Sequence, residues 1–166
     1  MRYSGLPILL ALTLVAIVSC TKSDSTKFAS AAAQGGRAEV ELGRLAVERG
    51  SNPAVTNFGQ RMIEDHTKAN SELMAIAKSK SIDLPNDLTF EQKSTIDKLS
   101  KLSGAEFDKE YMADMVSDHE SDAKEFENQS QNGTDPELKA FAAKTLPLIQ
   151  RHLQIARDGE NQVAAR

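Results

Sequence analysis

The chain has 166 residues, 40% of them hydrophobic and 5% aromatic, with no Trp, which is enough apolar material for one domain's core behind a leader. Its 20 Lys and Arg against 24 Asp and Glu leave a net charge of -4 and no basic stripe in the mature part, which argues against nucleic acid as a partner, because counterion release needs clustered cations. The abundance of Ala, Leu, Glu and Lys favours helix over sheet.

Residues 1–20 read as a signal peptide. Arg2 supplies a short positive region, and Leu6 to Val18 is almost wholly apolar yet too short to span a bilayer comfortably. The segment ends in "IVSC", which resembles a bacterial lipobox, so cleavage before Cys20 would leave a cysteine able to carry lipid. The alternatives are an ordinary signal peptide with an incidental cysteine and a retained membrane anchor. Cys20 is the sole cysteine, which leaves no internal disulfide. Thr21, rather than Asp, follows it, which in enteric-type sorting points to an outer-membrane lipoprotein facing the periplasm.

Residues 21–27 form a polar tether, and the folded part is expected over 28–158. In the first helix Phe28, Ala31, Ala32, Gly35, Glu39, Leu42, Leu45, Ala46 and Arg49 recur at helical spacing. "GSNP" stops it: Gly50 suits a C-terminal cap, Asn52 an N-cap and Pro53 the first turn of the next helix. That second helix runs from about Pro53 to Lys80, with Val55, Phe58, Met62, His66, Ala69, Leu73, Ile76 and Ala77 on its apolar face. "SIDLPNDLT" breaks it, and Asn86, Asp87 or Thr89 can cap a short connecting helix from Phe90 to Leu102. The third long helix carries Phe107, Tyr111, Met115, His119 and Phe126 at helical intervals until "SQNGTDP". Asp135-Pro136 restarts the chain as Asn52-Pro53 does. The fourth presents Leu138, Phe141, Ala142, Thr145, Leu148, Ile149, His152, Ile155 and Ala156, with Pro147 placed to kink it. Residues 159–166 remain as a tail. No strand-like alternation interrupts this pattern, so the expected fold is all-α, an antiparallel four-helix bundle with a short connecting helix between the second and third long helices.

The three histidines of the chain lie in three different helices, each on the apolar stripe. With Glu39 they give every long helix one polar residue facing inward near mid-length. A buried unpaired imidazole or carboxylate is costly, and convergence on a metal or a hydrogen-bond network would offset that cost. Imidazoles with a carboxylate suit Zn, Fe, Mn or Cu. Counting residues from the loops sets Glu39, His66 and His119 at similar depth and His152 off level by roughly 7 Å. The fallback is therefore a site of Glu39, His66 and His119. Asp65 and Asp118 point about 100° away from the neighbouring histidines, which suits partners of the ligands or alternate ligands at the edge. Met62, Met74, Met112 and Met115 read as core filler, with Met62 and Met115 placed to soften a copper site, and Tyr111 as a core residue.

"GGRAEVELGRLAVERGSNPAVTNFGQRMIEDHTKAN", "LSGAEFDKEYMADMVSDHE" and "LKAFAAKTLPLIQRHL" resemble the domain-of-unknown-function family 4142 over roughly Phe28 to Ala156. The resemblance implies a ferritin-like four-helix fold and export to the bacterial envelope, and supplies no settled reaction. The residues that carry it are Glu39, Asp65-His66, Phe107-Asp108, Tyr111, Asp118-His119 and His152. Ferritin-like proteins often hold two metals through Glu and Glu-x-x-His. Here Ile63 and Val116 occupy the Glu positions, which weighs against di-iron chemistry, and no Ser or Cys nucleophile motif is present. The first expectation is therefore a metal-binding envelope protein concerned with metal handling or stress. The alternatives are a structural or interaction module and a metal-dependent redox enzyme.

Overall fold

The computed structural model describes residues 24–165, to which the statements below refer; the signal-peptide segment and Cys20 lie outside them. Those residues form five helices and no strand: α1 (Asp24–Arg49), α2 (Pro53–Ser79), α3 (Phe90–Ser100), α4 (Gly104–Asn132) and α5 (Pro136–Ala164). Among them no helix is long and apolar enough to cross a membrane.

Local chemistry sets the helix starts. The Asn52 side chain accepts from the Ala54 N–H, and the Asp135 side chain accepts from the N–H groups of Glu137 and Leu138, each with a proline at the first helical position. Of the three proposed caps for α3, Thr89 serves, in a reciprocal capping box with Gln92. Gly104 starts α4 at φ 61, in the left-handed region that favours glycine. Gly50 follows α1 directly, and its N–H closes the last turn by donating to the Ala46 carbonyl at 3.1 Å, without a left-handed backbone. A Cβ there would stand 2.6 Å from the Ala46 carbonyl and 3.2 Å from an Asp108 carboxylate oxygen. Its role is to let Asp108 approach. That buried carboxylate accepts from the Ser51 N–H, the Ser51 hydroxyl and the Asn52 N–H, fastening the α1–α2 turn to the start of α4.

The folded region extends further at both ends than the sequence pattern suggested. α1 takes in residues 24–27 of the expected tether: Ser25 is buried and its hydroxyl lies 3.2 Å from that of Thr134. α5 continues through the expected tail to Ala164, because Gly159 leaves room for Met112 and Val163 packs on the core. On α1 the buried stripe includes Ala29, Ala33 and Gly36, while Ala31 is exposed and Gly35 only partly buried. Met74 is exposed, not core filler, whereas Met62, Met112 and Met115 are fully buried.

α1 packs along α2 and α4 along α5; the two pairs meet where α2 touches α5 and α1 touches α4, and α3 lies on α1. Gly43 and Gly59 allow α1 and α2 to approach backbone to backbone, since a Cβ on either would stand 2.7 Å from the carbonyl of the other. Two apolar clusters result. One is built around Phe58, Met62, Phe107, Tyr111, Met112 and Met115, the other around Phe28, Leu73, Phe126, Leu138 and Phe141. His66, His119 and His152 belong to neither cluster, although Phe58 of the first and Ile149 of the second lie near them.

Candidate metal centre

Each histidine lies on the buried stripe of its helix, His66 on α2, His119 on α4 and His152 on α5, and their rings converge. Ring centroids are 6.0 Å apart for His66–His119, 5.5 Å for His66–His152 and 5.6 Å for His119–His152. His119 and His152 are 0% exposed and His66 is 7% exposed. The structure thus places His152 level with the other two, against the offset expected from counting to a shared loop. The physical reason is twofold. Counted from the helix ends at Asn132 and Pro136, the mismatch shrinks to about three residues, ~4.5 Å. Side chains also lean toward the N-terminus of their own helix, so the tips on a helix and its hairpin partner move toward one another.

Hydrogen bonds orient two of the rings. The His119 Nδ1–H donates to the Met115 carbonyl at 2.9 Å, and the His152 Nε2–H donates to Asp65 Oδ2 at 2.9 Å. Asp65 therefore serves the histidine of α5, across the interface, and not its sequence neighbour His66. Each ring retains one buried nitrogen with no hydrogen-bond partner: Nε2 of His66, Nε2 of His119 and Nδ1 of His152. One ligand nitrogen from each of the three lies within 4.8 Å of the other two. Nitrogens so spaced lie within roughly 2.8 Å of a common centre, against ~2.0–2.1 Å for a zinc–imidazole bond, so a small inward shift suffices.

Electrostatics favours neutral rings. Burial, and then the neighbouring His119 and His152, push His66 down to about 3. Burial and His152 lower His119 to about 4, against the opposing pull of Asp118 and the Met115 carbonyl. Burial lowers His152, which Asp65 partly counters. Neutral imidazole is the form that donates to a cation. The Phe58 ring, 6.1 Å from His119 and 6.2 Å from His152, walls the site with apolar surface, a contribution that the spacing of α2 could not reveal. Beside His66 is a cavity of ≈ 20 Å³, bordered by Gly36, Asn70, Asp122 and Phe141 among others.

Glu39 falls in a second set. One ligand atom each from Glu39, Asp118 and His119 lie within 4.8 Å of one another, so His119 belongs to both groups. Glu39 is 0% exposed and both its carboxyl oxygens lack a hydrogen-bond partner. Burial raises its pKa well above the ordinary carboxylate value; the adjacent Asp118 carboxyl, close enough to share a proton with it though outside ordinary hydrogen-bond geometry, raises it next, and the charges of Asp118, Asp122 and Asp114 raise it further. The buried Tyr111 hydroxyl is also unpartnered, its pKa raised by burial and by Glu39. Asp114, Asp118 and Asp122 recur every four residues on α4. That spacing was visible in the sequence. Burial, and then the charge of Asp118, push Asp114 up to about 6 and Asp122 to about 8, with Glu110 adding to the first against Lys98 and Glu125 adding to the second.

The family model described as "Domain of unknown function (DUF4142)" matches residues 16–158. The chain belongs to the DUF4142 family. No curated protein matches it in sequence. Two solved structures share the fold of this DUF4142 chain. A "DUF305 fragment from Deinococcus radiodurans" has a TM-score of 0.72 at 12% identity, covering 86% of this chain and 96% of its own. "CopM in the Cu(I)-bound form" has a TM-score of 0.70 at 12% identity, covering 83% of this chain and 96% of its own.

Proposed function

We propose that this DUF4142 protein binds a transition-metal ion through His66, His119 and His152 and serves metal handling in the cell envelope. The observation that carries the reading is the convergence of three buried imidazoles from three helices, each offering one ligand nitrogen within 4.8 Å of the other two and each keeping one buried nitrogen without a hydrogen-bond partner. A purely structural module would use those nitrogens in a network, yet none of the three bonds to another ring. Leaving such groups unmatched costs about 1–3 kcal/mol each, a cost that metal coordination would offset. Three neutral imidazoles suit zinc, copper and divalent iron, and a carboxylate nearby keeps manganese in the set to be tested. The solved CopM structure of similar fold is Cu(I)-bound, which makes copper the first ion to try; at 12% identity it is the fold that is shared.

The packing of α1 on α2 and α4 on α5 supports reading the whole as a ferritin-like antiparallel four-helix bundle with its site between the helices. Export, with lipid on Cys20, rests on the apolar run that ends in "IVSC". The reading is of a binding protein, since neither carboxylates at Glu-x-x-His spacing nor a nucleophile motif is present.

The test is metal analysis and thermal melting of protein purified without a His-tag, with Zn, Cu, Mn and Fe, for the unmodified chain and the three single His→Ala variants. One shared site predicts one equivalent of metal, and loss of most of the metal-induced stabilisation in every single variant, because ligands acting together are not additive. No metal-induced shift in the unmodified protein would end the reading.

A further inference from the structure

Resting on the three-histidine reading, we propose that Glu39 and Asp118 form a second, transient cation station through which a divalent metal ion passes between solvent and the histidine centre. Glu39 is wholly buried, neither carboxyl oxygen has a fixed hydrogen bond, the adjacent Asp118 carboxyl is the group placed to share its proton, and one ligand atom each from Glu39, Asp118 and His119 lies within 4.8 Å of the other two. Packing alone does not call for an acid there, since a buried carboxyl without a partner is costly. Asp118 is exposed at the surface, Glu39 is interior, and His119 is a member of the histidine centre. The three thus form one compact group with an exposed member at one side and a member of the histidine centre at the other.

Above them lies a cleft of ≈ 140 Å³ between α1, α3 and α4. It is lined by Gly35, Ala38 and Leu42 of α1 and by Glu91, Asp114 and Asp118, so Asp118 is the member of the group that borders it. No Lys or Arg is among its lining residues. The Lys98 ammonium, which acts on Asp114, is paired with Glu110 at 2.5 Å. A recessed acidic cleft with low-dielectric walls concentrates cations and speeds their arrival.

The two ligand sets differ in kind. Carboxylate oxygens are hard donors that suit a partly hydrated divalent ion, whereas the imidazoles suit the same ion once it has shed water. His119 links them. Its Nδ1–H is held by the Met115 carbonyl, so only Nε2 has a lone pair to give. The stations therefore compete for one nitrogen, and the protein holds one ion at a time, passed from oxygen to nitrogen ligands on entry and back on exit.

Stopped-flow measurement of Zn²⁺ uptake, and of its release to a chelator, tests this in the full chain. Glu39→Gln and Asp118→Asn should each slow uptake and release together, by tenfold or more. The uptake rate of the unmodified protein should fall with added salt, and that dependence should flatten in the Glu91→Gln, Asp114→Asn double variant. Circular dichroism of each variant checks that it is folded. If both rates match those of the unmodified protein, or if release quickens while uptake holds, making Glu39 an ordinary resident ligand, the station is overturned while the histidine centre stands. If the unmodified protein takes up no divalent ion yet binds Cu(I), the station is overturned while the histidine centre stands; if it binds neither, the histidine reading fails and this one falls with it.

Discussion

Replacing His119 by leucine should make the metal-free protein more stable, although His119 is 0% exposed and sits at the centre of the structure. In the metal-free protein, Nε2 is a buried acceptor with no partner, and removing such a group recovers about 1–3 kcal/mol. Leucine gives up the Nδ1–H bond to the Met115 carbonyl, a net loss of roughly 1 kcal/mol. That carbonyl keeps its ordinary partner, the N–H four residues on, so no new orphan is created. Leucine also buries fully apolar surface against Phe58, while its change of shape costs up to about 1.5 kcal/mol. With the apolar gain set against the shape cost, the balance is a gain of up to about 2 kcal/mol, which for a chain of this size raises Tm by up to roughly 8 °C. Urea unfolding and calorimetry in the presence of a strong chelator measure it. With metal at a hundred times its Kd the order should reverse, because the unmodified protein gains about 2.7 kcal/mol by linkage and the variant gains little. A loss of 2 kcal/mol or more in chelator would refute the reasoning, since it would mean that the imidazole is held in a satisfied network.

Asp65→Ala frees the His152 tautomer that leaves Nδ1 available, so metal affinity should fall about 10- to 100-fold by competition titration, with the fold intact by circular dichroism. Gly59→Ala brings a Cβ to 2.6 Å from that of Ala46 and 2.7 Å from the Gly43 carbonyl, which should force α1 and α2 apart and cost about 1–3 kcal/mol in urea unfolding. His66, ordinarily near 6.5 and held down to about 3, binds a proton more readily in the unfolded chain. Its contribution is therefore intact above pH 6.5 and is lost as pH falls toward 3. The stability of metal-free His66→Leu relative to the unmodified protein should rise through that window by up to about 1.4 kcal/mol per pH unit. Asp122 has the opposite sign: raised from 3.8 to about 8, it favours the folded state at low pH and loses that contribution as pH rises from about 4 to 8. Asp122→Asn should therefore gain on the unmodified protein toward pH 8, as urea midpoints across the range would show.

The helices and their joints were legible because they depend on local chemistry. The 3.6-residue recurrence of apolar residues, the Asn52-Pro53 and Asp135-Pro136 starts and the break at 80–89 are properties of adjacent residues, and the helices observed follow them to within a few positions. The membership of the histidines in the buried stripes was legible for the same reason. The helix ends at Asp24 and Ala164 were not, because they depend on what those turns pack against, Thr134 at one end and the core near Val163 at the other. Nor could residue counting decide the level of His152, which depends on where each helix ends and on the opposed lean of side chains on facing helices. Tertiary structure alone paired Asp65 with His152 across two helices, set Asp108 under the α1–α2 turn and divided the polar interior into a histidine set and a carboxylate set joined at His119. A one-dimensional pattern fixes which side of a helix faces inward. The rotation and depth at which inward faces meet come from close packing, here set by the Gly43–Gly59 contact and the fit of Met112 against Gly159.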